Sequence, residues 1–364
     1  MICLFGTHSN RSLFWISVFA SLFVFDALLA NKNSDTVATS LDLQQRIGSI
    51  FNNHSSSVVR VKATREVNLD SNKTRRLLKM GSGFFVSKDG HILTTGLLNN
   101  PDRIWIEYDD SYYLAENIGR DPLCNLSLLK ISNKPANFTF VSLGDPIQKN
   151  KVGSSLIALT CALEFQVGPT NGLFQSYEYS FGKKIFPTRM LRCSLGLGPG
   201  EVGAPVFDLS GRFVGICHAA LPDLRSSFVL PALACQRIRD DLIFSGKVEY
   251  GWFGISTTRK LNESNGFDIV VQNLVEKSPA SKSKLSVGDV ILKIDDKTVI
   301  RQGDLANAAF FSRPDTIVEF LVSRDGKEIL VPVKIEARPE NSNKDVLFSS
   351  NSPSMDSNST GNLK

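Results

Sequence analysis

The chain has 364 residues, of which 42% are hydrophobic and 21% charged, and this describes an ordinary soluble protein long enough for two domains. Its net charge of +5 comes from scattered basic residues, and the densest cluster, Lys73–Lys79, is too short to indicate nucleic-acid binding. We interpret that cluster as a solvated loop. The six cysteines form no C-x-x-C pair and the chain has only four histidines, so we expect no metal site and no cofactor.

The N-terminal segment, residues 1–30, has the pattern of a signal peptide. Arg11 precedes an apolar run, Leu13–Ala30, with small residues near its end. The run is also about as long as the shortest membrane-spanning helix, so an uncleaved anchor stays open. We predict a secretory-pathway or membrane-anchored protein, with the chloroplast or mitochondrion as the alternative. The polar residues 31–55 are predicted to be a flexible lead-in.

Residues 56–246 contain many short apolar runs separated by Gly, Pro and Asn, a pattern that indicates an all-β barrel or sandwich. A helix is predicted from Ala232 to Phe244, ending at Gly246. The predicted strands are Val58–Ala63, Gly83–Val86, Ile92–Thr95, Ile104–Tyr108, Leu126–Ile131, Leu156–Thr160, Val214–Cys217 and Phe228–Leu230.

Residues 252–336 are predicted to form a second domain, with a helix near Gln302–Phe311 and a hairpin turn at Arg324–Gly326. Residues 337–364 are rich in Ser and Asn and are predicted to be disordered. The predicted strands are Phe253–Ser256, Asp268–Asn273, Val290–Ile294, Ile317–Ser323 and Ile329–Glu336.

Three segments of the sequence occur in a characteristic order, namely Gly81–Thr94, Gly119–Ile131 and Gly198–Val206. Together with the second domain they resemble the HtrA/Deg family of trypsin-like serine proteases. The family's corresponding segments read G-S-G-F-I-V…D-G-Y-I-L-T, G-x-D-x-x-x-D-L-A-L-L-K-I and N-P-G-N-S-G-G-P-L. Within the family, the chain resembles the single-PDZ plant Deg proteins. The resemblance implies a mostly β fold, a chymotrypsin-like double β-barrel followed by one PDZ-like α+β domain.

The resemblance also identifies the three positions that carry the family's catalytic triad. The general-base position holds Leu97, the orienting-aspartate position Asn125 and the nucleophile position Val202. Leucine has no acceptor nitrogen, valine has no hydroxyl, and neutral asparagine cannot stabilise an imidazolium. Losing the nucleophile or the base typically costs on the order of a millionfold in rate. The sequence therefore predicts a pseudoprotease that is not an enzyme.

Other nucleophiles and bases in the first domain are interpreted as structural. His91 and His218 are more typical of surface or packed histidines than of a replacement base, and Cys193 and Cys217 of core packing. Disulfide pairing after export stays open, because sequence does not give connectivity. A hydrolase with an unrecognised nucleophile is the first alternative function.

The second domain keeps more of the family pattern. Trp252, Phe253, Gly254 and Ile255 resemble the G-Y-L-G-I loop, whose backbone N–H groups receive a peptide's C-terminus while the next strand adds the peptide at its edge. We predict these four residues as the peptide-binding site. The expected partners are peptide C-termini or unfolded segments, active Deg-type subunits, and, by resemblance, copies of the chain in a trimer, with no nucleic acid. A scaffold without a peptide site is the second alternative.

Overall fold

The computed structural model describes residues 42–70, 73–144, 151–182, 184–262 and 265–339. The predicted signal peptide or anchor, residues 1–30, and residues 340–364 of the predicted tail lie outside these ranges. Among the described residues, no helix is long and apolar enough to span a membrane.

The described chain begins with helix α1, residues 42–54, followed by a 3-10 turn, Ser55–Ser57. The lead-in predicted as flexible at residues 31–55 is therefore helical over its described part. Leu43, Ile47 and Ile50 recur at helical spacing, and the buried Ile50 gives α1 an apolar contact that the polar composition concealed.

Two closed antiparallel barrels of six strands follow. The first is ordered β1-β2-β3-β6-β5-β4 and the second β10-β11-β12-β9-β8-β7. The strands are β1 Val58–Asp70, β2 Lys73–Phe85, β3 His91–Thr95, β4 Arg103–Tyr108, β5 Ser111–Asp121, β6 Leu126–Ile131, β7 Ser155–Thr160, β8 Gly168–Phe181, β9 Lys184–Cys193, β10 Pro205–Asp208, β11 Phe213–Leu221 and β12 Ser226–Pro231.

Each barrel is closed around its own apolar core, because alternate residues of every strand point inward. Phe85 and Ile106 are fully buried in the first core, and Phe174 and Val206 in the second. A 3-10 turn, Pro222–Leu224, joins β11 to β12, and helix α2, Ala232–Ser245, ends the domain. The left-handed Gly246 caps α2 through its N–H to the Leu242 carbonyl, as the sequence predicts.

The second domain is a six-stranded sheet with a helix. Its sheet is ordered β14-β15-β16-β18-β19, with β17 paired to β16, and β13 pairs with β20 in a separate ribbon. The elements are β13 Gly251–Trp252, β14 Ile255–Leu261, β15 Phe267–Leu274, β16 Val290–Ile294, β17 Lys297–Thr298, α3 Gln302–Phe311, β18 Ile317–Arg324, β19 Lys327–Lys334 and β20 Glu336–Ala337. The predicted mostly β fold, a double barrel followed by one α+β domain, is confirmed.

Candidate functional site

The loop around Val202 is fixed between the two barrels. The Val202 carbonyl accepts a hydrogen bond from the Ser82 amide of the first barrel at 3.0 Å. The Gly203 amide donates to the Cys217 carbonyl of the second barrel at 2.7 Å. Gly203 has φ +96°, and a Cβ there would lie 2.0 Å from the Ser82 oxygen, so only glycine fits. The backbone of the matched nucleophile loop is therefore tightly held.

Leu97, at the matched general-base position, does not face this loop. Its side chain is 3% exposed and belongs to the apolar core of the first barrel, together with Phe85 and Ile92. Gly96, with φ +70°, turns the chain immediately before it. Leucine gains free energy by burying its side chain, and this drives residue 97 into the barrel.

The side chain of Asn125, at the matched aspartate position, is hydrogen-bonded to a neighbouring cation. It has φ +50°, a left-handed conformation that asparagine tolerates better than most residues. Its Oδ1 accepts a hydrogen bond from the Arg120 guanidinium, and its carbonyl accepts one from the Gly96 amide at 3.3 Å. The structure thus brings positions 97, 125 and 202 into one region, with none of the triad's side-chain contacts.

Lys79 and Arg120 belong to this region and were missed by the sequence reasoning. Residues 73–79 lie at the start of β2, so their interpretation as a solvated loop was wrong, because they pair with the long strand β1. Lys79 is half-buried, and burial together with the charge of Arg120 lowers the pKa of its ammonium. The sequence did contain one signal of a basic group in this region, namely Arg120 at the variable position of the G-x-D segment.

The loop also carries a carboxylate at Glu201. Its Oε1 accepts from the Thr160 hydroxyl at 2.6 Å, and its other oxygen accepts from the Gly198 amide. The side chain therefore closes the loop on itself. These bonds hold the carboxylate against Gly198 and Thr160.

The histidines and cysteines of the first domain are packed. His218 is 5% exposed, and burial lowers its pKa to about 4. His91 is half-buried with its Nδ1 2.8 Å from the Ser87 hydroxyl. Burial raises the pKa of Cys161 to about 11 and that of Cys193 to about 12, which keeps both as neutral thiols. The five cysteines of the described residues have free, buried thiols, namely Cys124, Cys161, Cys193, Cys217 and Cys235.

In the loop predicted to bind peptides, two residues are buried in the domain core and two are half-exposed beside a cleft. Phe253 is 4% exposed and packs edge-on against Phe320, with ring centroids 5.1 Å apart. Gly254 has φ +73°, and a Cβ there would lie 2.1 Å from the Cβ of Ser278. Trp252 and Ile255 remain half-exposed. Phe253 and Gly254 therefore shape the loop, while only the outer pair offers side chains to a ligand.

A cleft of about 820 Å³ lies beside this loop. One wall is β14, an edge strand of the sheet, and another is α3 with Ala306 and Ala309. The β8–β9 hairpin of the first domain forms part of the rim. Three arginines also line the cleft, namely Arg259, Arg301 and Arg338. An exposed strand edge with cations nearby is suited to an extended peptide that carries a carboxylate.

Side-chain hydrogen bonds join the hairpin and α3. The Tyr179 hydroxyl donates to Asp304, and the Thr188 hydroxyl donates to Asn307 Oδ1 at 2.7 Å. Closer to the first barrel, the Tyr250 hydroxyl donates to the buried Asp121 at 2.7 Å. The second domain is thus bonded to the barrels at several points.

Comparison with known proteins identifies both domains. Residues 81–216 match the trypsin-like peptidase domain family, and residues 251–335 match the PDZ domain family. A probable periplasmic serine endoprotease, DegP-like, from Marinomonas sp. (strain MWYL1) is 30% identical over 273 residues, or 71% of this chain and 57% of the relative. The corresponding protein of Bartonella henselae is 29% identical, over 74% of this chain and 55% of the relative.

The chain belongs to the HtrA/Deg family. It spans a little over half the length of these curated relatives. The solved structure of the HtrA-type protease AlgW with a decapeptide matches 80% of this chain and 99% of its own, with TM-score 0.63 and 22% identity. AlgW with a tripeptide gives TM-score 0.65 and 21% identity, covering 80% of this chain and 97% of its own. These likenesses support the HtrA fold.

The prediction that the chain is not an enzyme is contradicted by this comparison and was wrong, since its relatives are named serine endoproteases. That prediction considered only residues 97, 125 and 202. A nucleophile elsewhere in the chain would not have been detected by it. Ser226 and Ser227 are buried on β12, which pairs with β11 beside the Val202 loop. Ser227 donates its hydroxyl hydrogen to the Cys193 carbonyl at 3.3 Å.

Proposed function

We propose that this HtrA/Deg family protein binds peptide C-termini or unfolded segments through its PDZ domain. The edge strand β14 supports this proposal, because its outer side faces the cleft and can pair with an extended chain. Within the described residues, the Gln302 side chain donates to the Thr257 carbonyl at 2.5 Å. An entering peptide would exchange that bond for backbone pairing.

The carboxylate of such a peptide would meet the loop Trp252–Ile255. Arg259, Arg301 and Arg338 raise the positive potential of the cleft, which favours an anionic end group. The carbonyls of Phe253 and Gly254 accept hydrogen bonds from the Ala280 and Val275 amides, which fixes the loop within the domain. Trp252, Phe253, Gly254 and Ile255 remain our proposed peptide site, with Phe253 acting through the loop's shape.

A groove-filling substitution tests this proposal. Ala306→Arg places a long side chain on the α3 wall and should weaken binding of a free-carboxylate decapeptide at least tenfold, or about 1.4 kcal/mol. Thr298→Arg adds the same group to an exposed position of β17 outside the cleft and serves as the matched control. Fluorescence anisotropy of labelled decapeptides from a library with varied last residues gives the dissociation constants. Equal affinities in both variants would contradict the proposal.

We also propose that the chain assembles with copies of itself and with active Deg-type subunits, which it would regulate in mixed oligomers. This proposal rests on the family resemblance. An extracytoplasmic location is proposed because the relatives are named periplasmic proteases.

Peptide hydrolysis is a second candidate function, favoured by the names of the relatives. Hydrolysis would require a nucleophile other than the residue at position 202, and the buried Ser226 and Ser227 are the hydroxyls to examine. If one of them reacts, a fluorophosphonate probe should label the purified chain, and Ser226→Ala or Ser227→Ala should abolish the labelling. Absence of labelling, together with no cleavage of unfolded casein, would exclude a serine nucleophile.

A further inference from the structure

The PDZ cleft carries positive charge at the end that is far from the loop Trp252–Ile255. Arg259 lines the cleft four residues beyond this loop on β14, or about 14 Å along an extended strand. Arg301 lines the cleft from the residue before α3, and the first residue of α3, Gln302, donates a side-chain hydrogen bond to the Thr257 carbonyl of β14. Both arginines therefore lie at one end of the cleft, which we call the distal end.

Among the residues that the structure describes, neither of these guanidinium groups forms an ion pair. The guanidinium of Arg259 lies 4.0 Å from the centroid of the Phe267 ring, a contact that orients the group without neutralising its charge. Glu178 lines the cleft, but its carboxylate is 3.6 Å from Arg192 Nε and accepts a hydrogen bond from the Ser176 hydroxyl. That carboxylate is therefore already bound to other groups.

The first turn of α3 contains another carboxylate, Asp304, which does not line the cleft. Its Oδ1 accepts a hydrogen bond from the Tyr179 hydroxyl, and its Oδ2 accepts from the Ile300 and Arg301 amides. These bonds hold the carboxylate at the start of the helix. Within the described part of the chain, the distal end thus presents two exposed guanidinium groups to which no carboxylate side chain is bound.

The direction of β14 decides which part of a peptide would reach the distal end. A peptide with its C-terminus at the loop that precedes β14 runs antiparallel to this strand. Ile255, Thr257 and Arg259 line the cleft, whereas Thr258 does not, and alternate residues of a strand share a face. The first, third and fifth residues of the peptide, counted from its C-terminus, would lie opposite these three in turn.

We propose, on the basis of the proposed peptide binding, that the distal end selects peptides with Asp or Glu at the fifth residue from the C-terminus. The acidic side chain binds Arg259 and Arg301 through charge-assisted hydrogen bonds, while the loop receives the terminal carboxylate. The ligand class is therefore an acidic peptide tail rather than any free C-terminus. Because both arginines are exposed, solvent screens the interaction and the preference is several-fold.

Three forms of one peptide test this proposal with the full chain. The library decapeptide that binds most tightly is synthesised with Glu, Gln or Lys at its fifth residue from the C-terminus. Calorimetry at low salt should give at least fivefold tighter binding of the Glu form than of the Gln form, and the weakest binding of the Lys form. The preference should shrink in about 0.5 M salt, because salt screens exposed charges. Glu at the second residue from the C-terminus, on the opposite face, should give no such gain.

Variants of the strand locate the effect. Arg259→Met should lower the Glu preference to below about twofold, and Arg259→Lys should retain it. Lys260→Met is the matched control, because it removes the same charge from the next residue of β14, which is exposed and does not line the cleft. The Gln form should bind all of these variants equally, which shows that the cleft is intact.

Equal binding of the Glu and Gln forms to the unaltered chain overturns this proposal and leaves peptide binding itself intact. Absence of binding by every library peptide overturns the proposed function and this inference with it. A Glu preference that persists in both Arg259→Met and Arg301→Met, with unchanged melting temperatures, also overturns the assignment to the distal end.

Discussion

Leu97 and Val202 lie in different surroundings although they are close in the fold. Leu97 packs in the core of the first barrel, whereas a Cβ built on the preceding Gly96 would contact Lys79 and Val202. Val202 is held by the backbone hydrogen bonds of its loop. Residue 97 therefore contributes to the stability of the barrel, while Lys79 lies near the Val202 loop.

The buried His218 should make the stability of the protein depend on pH. Burial lowers its pKa to about 4, so between about pH 6.5 and 4 the unfolded chain binds a proton that the folded chain does not. The stability contributed by neutral His218 is present above pH 6.5 and is lost as the pH falls toward 4. The loss should approach about 3 kcal/mol, at 1.36 kcal/mol for each pKa unit.

Urea unfolding at pH 7, 6, 5 and 4.5 measures this effect as a difference between the unaltered chain and His218→Gln. The variant should lose less free energy of unfolding over this range. His91→Gln is the control, because His91 is only half-buried whereas His218 is buried. Parallel pH profiles for the unaltered chain and His218→Gln would contradict the assignment.

At the scale of elements, local signals predicted several boundaries well. The helix at Gln302–Phe311 is observed with the predicted bounds, and α2 extends the predicted helix by one residue. The turn at Asp325 and Gly326 has φ +51° and +76°, the conformation that an Asp-Gly hairpin favours. These features depend on short-range periodicity and turn chemistry, which a sequence contains directly.

Some strands were missed. Strands β8 and β9 were not predicted, although residues 176–181 alternate polar and apolar side chains as a half-buried strand does. Strand β1 also continues beyond Ala63, because its polar residues pair with β2 in a ribbon. Their stability comes from pairing across the sheet, and such pairing partners are set by the fold rather than by neighbouring residues.

At the scale of the molecule, the family motifs correctly predicted a trypsin-like domain followed by a PDZ domain, but not the groups around Val202. Lys79 approaches Val202 only when β2 lies beside the Val202 loop, more than a hundred residues away in sequence. The bond between Tyr250 and Asp121 likewise joins residues 129 positions apart. Such contacts follow from tertiary packing, so motif spacing could not predict them.

Peptide capture by the PDZ domain is the central claim at this scale. The most direct measurement is calorimetric titration of the full chain with one decapeptide, selected from the library, in its free-carboxylate and amidated forms. We predict a dissociation constant below about 1 mM for the free acid and at least tenfold weaker binding of the amide. Binding weaker than millimolar by every library peptide, or equal binding of the acid and the amide, would contradict the account.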